Sequence, residues 1–169
     1  VLHLPTALLA VWVCSIAYFD ARYRRIPNVL SLGAWLVAAC VLLTKQTSLT
    51  GASASSALLA AGAGFAATWP AYAVRKLGAG DVKLMVAIGL LTSLSVALHT
   101  FVIAALLGGG LALLWMNAAL LMSTLPPSWA SASSRLGRWA AVPIKQRRMA
   151  YGSLLAVGLL GALWLEGLA

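Results

Sequence analysis

Leu77-Gly78-Ala79-Gly80-Asp81-Val82-Lys83 is the stretch around which the chain is organised. It lies between two apolar runs and sets two glycines, an aspartate and a lysine close together. The whole chain holds 3 acidic residues, Asp20, Asp81 and Glu166. A carboxylate at the edge of an apolar segment is costly and is usually there for function. Asp20 stands in the same kind of place, at the end of the first apolar run. The two aspartates read as one catalytic pair, which the remaining segments bring together at one face of a membrane.

Composition says why a membrane. Of 169 residues, 62% are hydrophobic and 9% charged, and mean hydropathy is +0.95. A soluble domain carries about 25% charged residues. So few charges cannot cover a water-facing surface. The expected fold is an all-α integral membrane protein, a bundle of about six transmembrane helices, in one membrane-embedded domain over residues 1–169. The net charge of +9 would suggest nucleic acid in a soluble protein. Here the excess of cations on the inner side of membrane proteins accounts for it, and no basic surface with interleaved aromatics is present. Nucleic acid is therefore not an expected partner. Cys14 and Cys40 form no metal-binding spacing and read as buried small hydrophobes. No metal or cofactor is expected.

Bilayer spans need about 20 mostly apolar residues. The first runs from about Leu2 to Phe19; its charges follow it, so it reads as a retained span rather than a signal peptide. Asp20 to Asn28 forms an inner turn with three arginines, Pro27 as helix breaker and Asn28 as the expected N-cap of the next helix. The second span covers about Val29–Thr44, followed by a Ser/Thr-rich outer loop. The third covers about Ala57–Val74. Its Gly62 and Gly64 suggest close helix packing, and Pro70 suggests a kink near the inner end. The fourth is expected from Val82 or Leu84 to Leu98, with a turn at His99, and the fifth from Phe101 to Met122. Within the fifth, Gly108-Gly109-Gly110 permits close approach or a kink. An inner loop, Ser123–Arg148, carries Trp129 and Trp139, expected in the headgroup zone. The sixth span covers about Ala150–Leu165, with Glu166 as a solvated outer end.

Cations test this topology. Arg22, Arg24, Arg25, Arg75, Lys76, Lys83, Arg135, Arg138, Lys145, Arg147 and Arg148 all fall on one side. Of the 12 Lys and Arg residues only Lys45 is left outside, as the positive-inside bias requires. Both termini are then outside, and Asp20 and Asp81 share the inner side at similar depth.

Two carboxylates held close together cannot both ionise easily and share a proton. The ionised member can take a proton from water, while the protonated member polarises a peptide carbonyl and later donates to the leaving nitrogen. Neither a metal nor a covalent nucleophile is needed. Gly78 and Gly80 are expected to turn the chain sharply before the fourth helix and to leave room for a substrate backbone and water. Bland roles stand beside these. Asp81 could merely cap the fourth helix, and Asp20 could merely pair with Arg24 one turn on. Lys83 reads first as an interfacial anchor. Arg22, Arg24 and Arg25 read as topology signals, and His3 and His99 lie on the outer side.

These segments resemble a known family. Asp20-x-x-x-Arg24-Arg25-Ile26-Pro27-Asn28, followed by Gly78-Ala79-Gly80-Asp81-Val82-Lys83-Leu84, is similar to the type IV prepilin peptidases, which are GxGD intramembrane aspartyl proteases. Ala87, Gly89 and Tyr151-Gly152 add to the likeness. The resemblance implies that Asp20 and Asp81 are the catalytic aspartates. Gly78, Gly80, Lys83, Arg24, Arg25, Pro27 and Asn28 would shape the site. It implies a prepilin-like substrate whose short basic leader is removed at the cytoplasmic face of the bacterial inner membrane. The partners would be membrane lipid and pilus or secretion machinery. The chain lacks the CxxC-bearing insert of members that also methylate, so it resembles the short peptidase-only branch that serves Flp-type tight-adherence pili.

Two other classes compete. A small proton-coupled transporter also places aspartates in a membrane, but at the midplane and within repeated broken helices. A non-catalytic subunit of a secretion or pilus machine would tolerate loss of either aspartate.

Overall fold

The structure, a computed structural model, describes residues 4–117 and 150–167. Six helices account for most of them: α1 (Leu4–Tyr23), α2 (Asn28–Lys45), α3 (Ala54–Ala73), α4 (Ala79–Leu91), α5 (Leu94–Met116) and α6 (Tyr151–Leu165). No strand occurs among the described residues; an isolated bridge between Thr47 and Ser53 closes the loop from α2 to α3. The chain is an all-α membrane protein. Helices α1, α2 and α5 are long and apolar enough to cross a bilayer, and α6 is a shorter apolar helix. The loop expected at Ser123–Arg148, with its two tryptophans and five cations, lies outside the described residues.

The chain divides into two compact units, residues 1–105 with 150–169, and residues 106–149. The second is described only through 117, where it is the C-terminal half of α5. Around Gly109 and Gly110 an added Cβ would meet nothing, and α5 runs through both without interruption.

In the first unit α4 lies at the centre, packed on α2, α3 and α6, while α1 packs on α6. That placement explains its composition. Val82, Leu84, Met85, Ala87, Ile88, Gly89 and Leu91 are all buried, and a helix apolar all round belongs inside a bundle. At 13 residues it is about 20 Å long at 1.5 Å per residue, shorter than a full span. Glycines set the approach of α3. A Cβ on Gly89 would lie 2.5 Å from the Ala61 nitrogen and 2.6 Å from the Ala60 carbonyl carbon, and one on Gly64 3.2 Å from the Met85 oxygen. Backbone meets backbone at both points, as small residues allow in membrane helix pairs. Gly62, expected to do the same, has open space around it.

Several boundaries differ from expectation. The break between the fourth and fifth helices falls at Thr92-Ser93, not at His99. Thr92 Oγ1 donates to the Ile88 carbonyl at 2.7 Å and ends α4. Ser93 Oγ accepts the Val96 N–H at 3.2 Å and starts α5, as a serine at an N-cap does. The signal was a Thr-Ser pair inside an apolar run, which hydropathy alone passes over. His99 therefore sits within α5. Glu166 is exposed, as expected, and its Oε1 also accepts the Ser95 hydroxyl and lies 3.1 Å from His99 Nδ1, tying the end of α6 to the start of α5. Cys14 and Cys40 are exposed on the helix surfaces rather than buried. Asn28 is not a cap. Pro27 occupies that position at φ −59°, and Asn28 opens the helix. Pro70 lies inside α3, which continues to Ala73.

Candidate active site

Asp20 belongs to the last turn of α1, which extends one turn past the expected end of the first span and stops where Arg24 takes a left-handed φ of 53°. Its side chain is turned inward, with the residue only 5% exposed. Burial of an aspartate requires donors, and these come from the far end of the sequence. The Ser153 N–H donates to Asp20 Oδ2 at 2.8 Å, and the Ser153 hydroxyl lies 3.2 Å from the same oxygen. That hydroxyl is also 3.3 Å from the Ala17 carbonyl, one turn earlier on α1.

Asp81 sits in the first turn of α4 and is half-buried. The helix begins at Ala79, so Gly80 and Asp81 are helical rather than part of a preceding turn, and Gly78 is the N-cap at φ −80°. Neither glycine uses left-handed backbone. What they supply is space. A Cβ on Gly78 would lie 3.1 Å from Asp81 Oδ2, and one on Gly80 would lie 3.4 Å from Ile26 Cβ. The Gly78 N–H donates to Asp81 Oδ2 at 3.2 Å. Asp81 thus does cap α4, but that is only part of its surroundings. The Gly152 backbone and the Asp20 carboxyl also lie near enough to act on it.

Both aspartates therefore meet at the first turn of α6, where Gly152 and Ser153 present consecutive N–H groups. The first N–H groups of a helix have no partner within it, and the positive end of the helix favours negative charge. Here the N–H of Ser153 goes to Asp20, and Gly152 lies beside both carboxylates. Gly152 is required by the fit: a Cβ would lie 3.0 Å from Asp20 Oδ2 and 2.8 Å from Ile26 Cδ1. Ile26, on the loop from α1 to α2, thus fills the space between Gly80 and Gly152. Tyr151 lies close enough to Asp81 to feel its charge.

The other expected site residues are arranged around this centre. Lys83 Nζ is 3.4 Å from Asn28 Oδ1, and the Lys83 carbonyl accepts the Trp35 indole N–H at 3.0 Å. These contacts join α4 to α2. The Pro27 carbonyl accepts the Leu30 N–H and fixes the start of α2. Arg24 and Arg25 are exposed on the loop. Sequence reasoning on the residues gave no role to Ile26 or Ser153. A serine at the start of a last apolar run carries no local signal, and Gly152 was marked only by the family likeness.

Comparison with known proteins identifies the family. The family model described as type IV leader peptidase family matches residues 7–113, more than half of the chain. No curated protein and no solved structure matches it. The matched residues contain both aspartates; Gly152 and Ser153 lie beyond them.

Proposed function

The chain belongs to the type IV leader peptidase family, and from that premise we propose that it is an aspartyl endopeptidase acting through Asp20 and Asp81. The observation that carries this reading is the meeting of the two carboxylates at the first turn of α6, Asp20 held by Ser153 and Asp81 by Gly78. A peptidase needs a group to take a proton from water and another to return one to the leaving nitrogen. Two neighbouring carboxylates that share one proton supply both. The ionised aspartate takes a proton as water attacks the scissile carbonyl carbon. The protonated aspartate polarises the carbonyl and then protonates the departing amine. The donors around the pair hold it in register without reorganising during the step, which is how a pre-arranged polar site lowers a barrier.

The substrate we infer is a prepilin-like precursor with a short basic leader. It would be cut at the cytoplasmic face of the inner membrane by a multi-pass protein with both termini outside. Support comes from the cations that flank the aspartates, Arg22, Arg24, Arg25, Arg75, Lys76 and Lys83, since cations gather at the inner ends of membrane helices. Membrane lipid and a pilus or secretion machine are the partners this reading entails. The test is co-expression with prepilins encoded in the same genome, following the leader by gel shift and N-terminal sequencing. Wild type should cleave. Asp20→Asn and Asp81→Asn, at equal membrane levels, should each lose about a thousandfold or more of the rate. Cleavage that survives either substitution would remove that carboxylate from the mechanism.

A further inference from the structure

Asp20 is held by a residue 133 positions away. The Ser153 amide and hydroxyl both address the same oxygen, Oδ2, at 2.8 and 3.2 Å. We propose that Ser153 is a positioning residue for Asp20, fixing Oδ2 so that Oδ1 is the oxygen that takes the proton from water. This rests on the aspartyl peptidase reading above. In the step, an O–H bond of water breaks and its oxygen bonds to the scissile carbonyl carbon, while the proton passes to Oδ1. When the C–N bond then breaks, the amine nitrogen takes its proton from Asp81.

The hydroxyl has a feature the amide lacks. It carries one proton and has two acceptors within reach, Asp20 Oδ2 and the Ala17 carbonyl at 3.3 Å. A bond to an ionised acceptor is roughly twice as strong as one to a neutral acceptor. While Asp20 is charged, the hydroxyl therefore donates to it. Once Oδ1 is protonated, the hydroxyl turns to Ala17 and leaves no buried donor unpaired. Ser153 thus holds Asp20 Oδ2 before the step and stays satisfied after it.

The experiment compares Ser153→Ala, Ser153→Thr, Asp20→Asn and Ser15→Ala in the leader-cleavage assay on purified protein in membranes. Ser15 donates to the Val11 carbonyl and touches neither aspartate, so it is the control for losing a helix-face hydroxyl. Ser153→Ala should lower kcat about tenfold, the size expected for one hydrogen bond to a charged group. KM should be unchanged, because the hydroxyl acts on the carboxylate and not on bound substrate. Ser153→Thr should recover most of that loss, and Ser15→Ala should match wild type. Full kcat in Ser153→Ala, with Asp20→Asn inactive, would overturn the positioning role and leave the dyad standing. Equal losses in the Ala and Thr variants would also overturn it, since packing rather than the hydroxyl would then matter. Activity retained by Asp20→Asn would overturn both readings together.

Discussion

Gly152→Ala is the substitution that most directly probes the carboxylate pair. The added methyl would sit 2.8 Å from Ile26 Cδ1, 3.0 Å from Asp20 Oδ2 and 3.2 Å from Asp20 Cγ. The isoleucine methyl is the far end of a flexible side chain and can rotate away. The carboxylate cannot move as freely, because the Ser153 amide holds it at 2.8 Å. It must give by a few tenths of an ångström, stretching the Ser153 bonds or shifting its position relative to Asp81. Misplacing a reacting group by about 1 Å costs about a hundredfold in rate, so the smaller shift here should cost about tenfold or somewhat more. Stability should suffer little, because the contacts that yield are side-chain ends. The assay is leader cleavage with kcat and KM separated, beside thermal unfolding in detergent. A Gly152→Ala protein with kcat within twofold of wild type would refute the reasoning, since Asp20 could not then lie against Gly152 in the active form.

Other outcomes follow from the packing. Gly89→Ala would drive a methyl to 2.5 Å from backbone of α3, which has no flexible end to yield. It should cost about 1–3 kcal/mol, as overpacking does, read as a lower unfolding temperature. Gly62→Ala meets nothing and should leave that temperature unchanged or raise it, since alanine is the better helix residue. Trp35→Phe removes the indole bond to the Lys83 carbonyl and should cost about 1 kcal/mol in the same measurement. Glu166→Gln weakens the link to Ser95 and His99 and should cost at most about 1 kcal/mol, because the pair is partly exposed. Cleavage should be unaffected by that change, as Glu166 follows α6 about 20 Å along its axis from Ser153.

Much of this molecule was legible in its amino acids because the relevant physics is local. A helix that crosses a bilayer must be long and apolar with few charges, so composition settled the class, and hydropathy located the first three helices and the last to within about four residues. With 3 acidic residues in the chain, Asp20 and Asp81 stood out against an apolar background. The short pattern around them pointed to the family that the comparison then matched. Hydropathy erred where a break is made by side-chain hydrogen bonds instead of by polarity, as at Thr92-Ser93. It also erred in assuming that small apolar-run residues are buried: Cys14 and Cys40 face outward. In a membrane protein an apolar residue can face lipid as readily as core, and the sequence does not distinguish the two.

What only the tertiary structure decided is how the aspartates are held. Helix α4 is apolar on every side, so no stripe on it could announce that α2, α3 and α6 all pack there. The partners of the carboxylates are backbone N–H groups, which every residue but proline carries and which no sequence pattern marks. Gly152 is needed because α6 places its first turn against Asp20, and Ser153 matters because that turn aims its amide and hydroxyl at one oxygen. Those facts depend on the packing of α1 on α6, segments at opposite ends of the chain, and packing is settled by shape in three dimensions rather than by spacing along the chain.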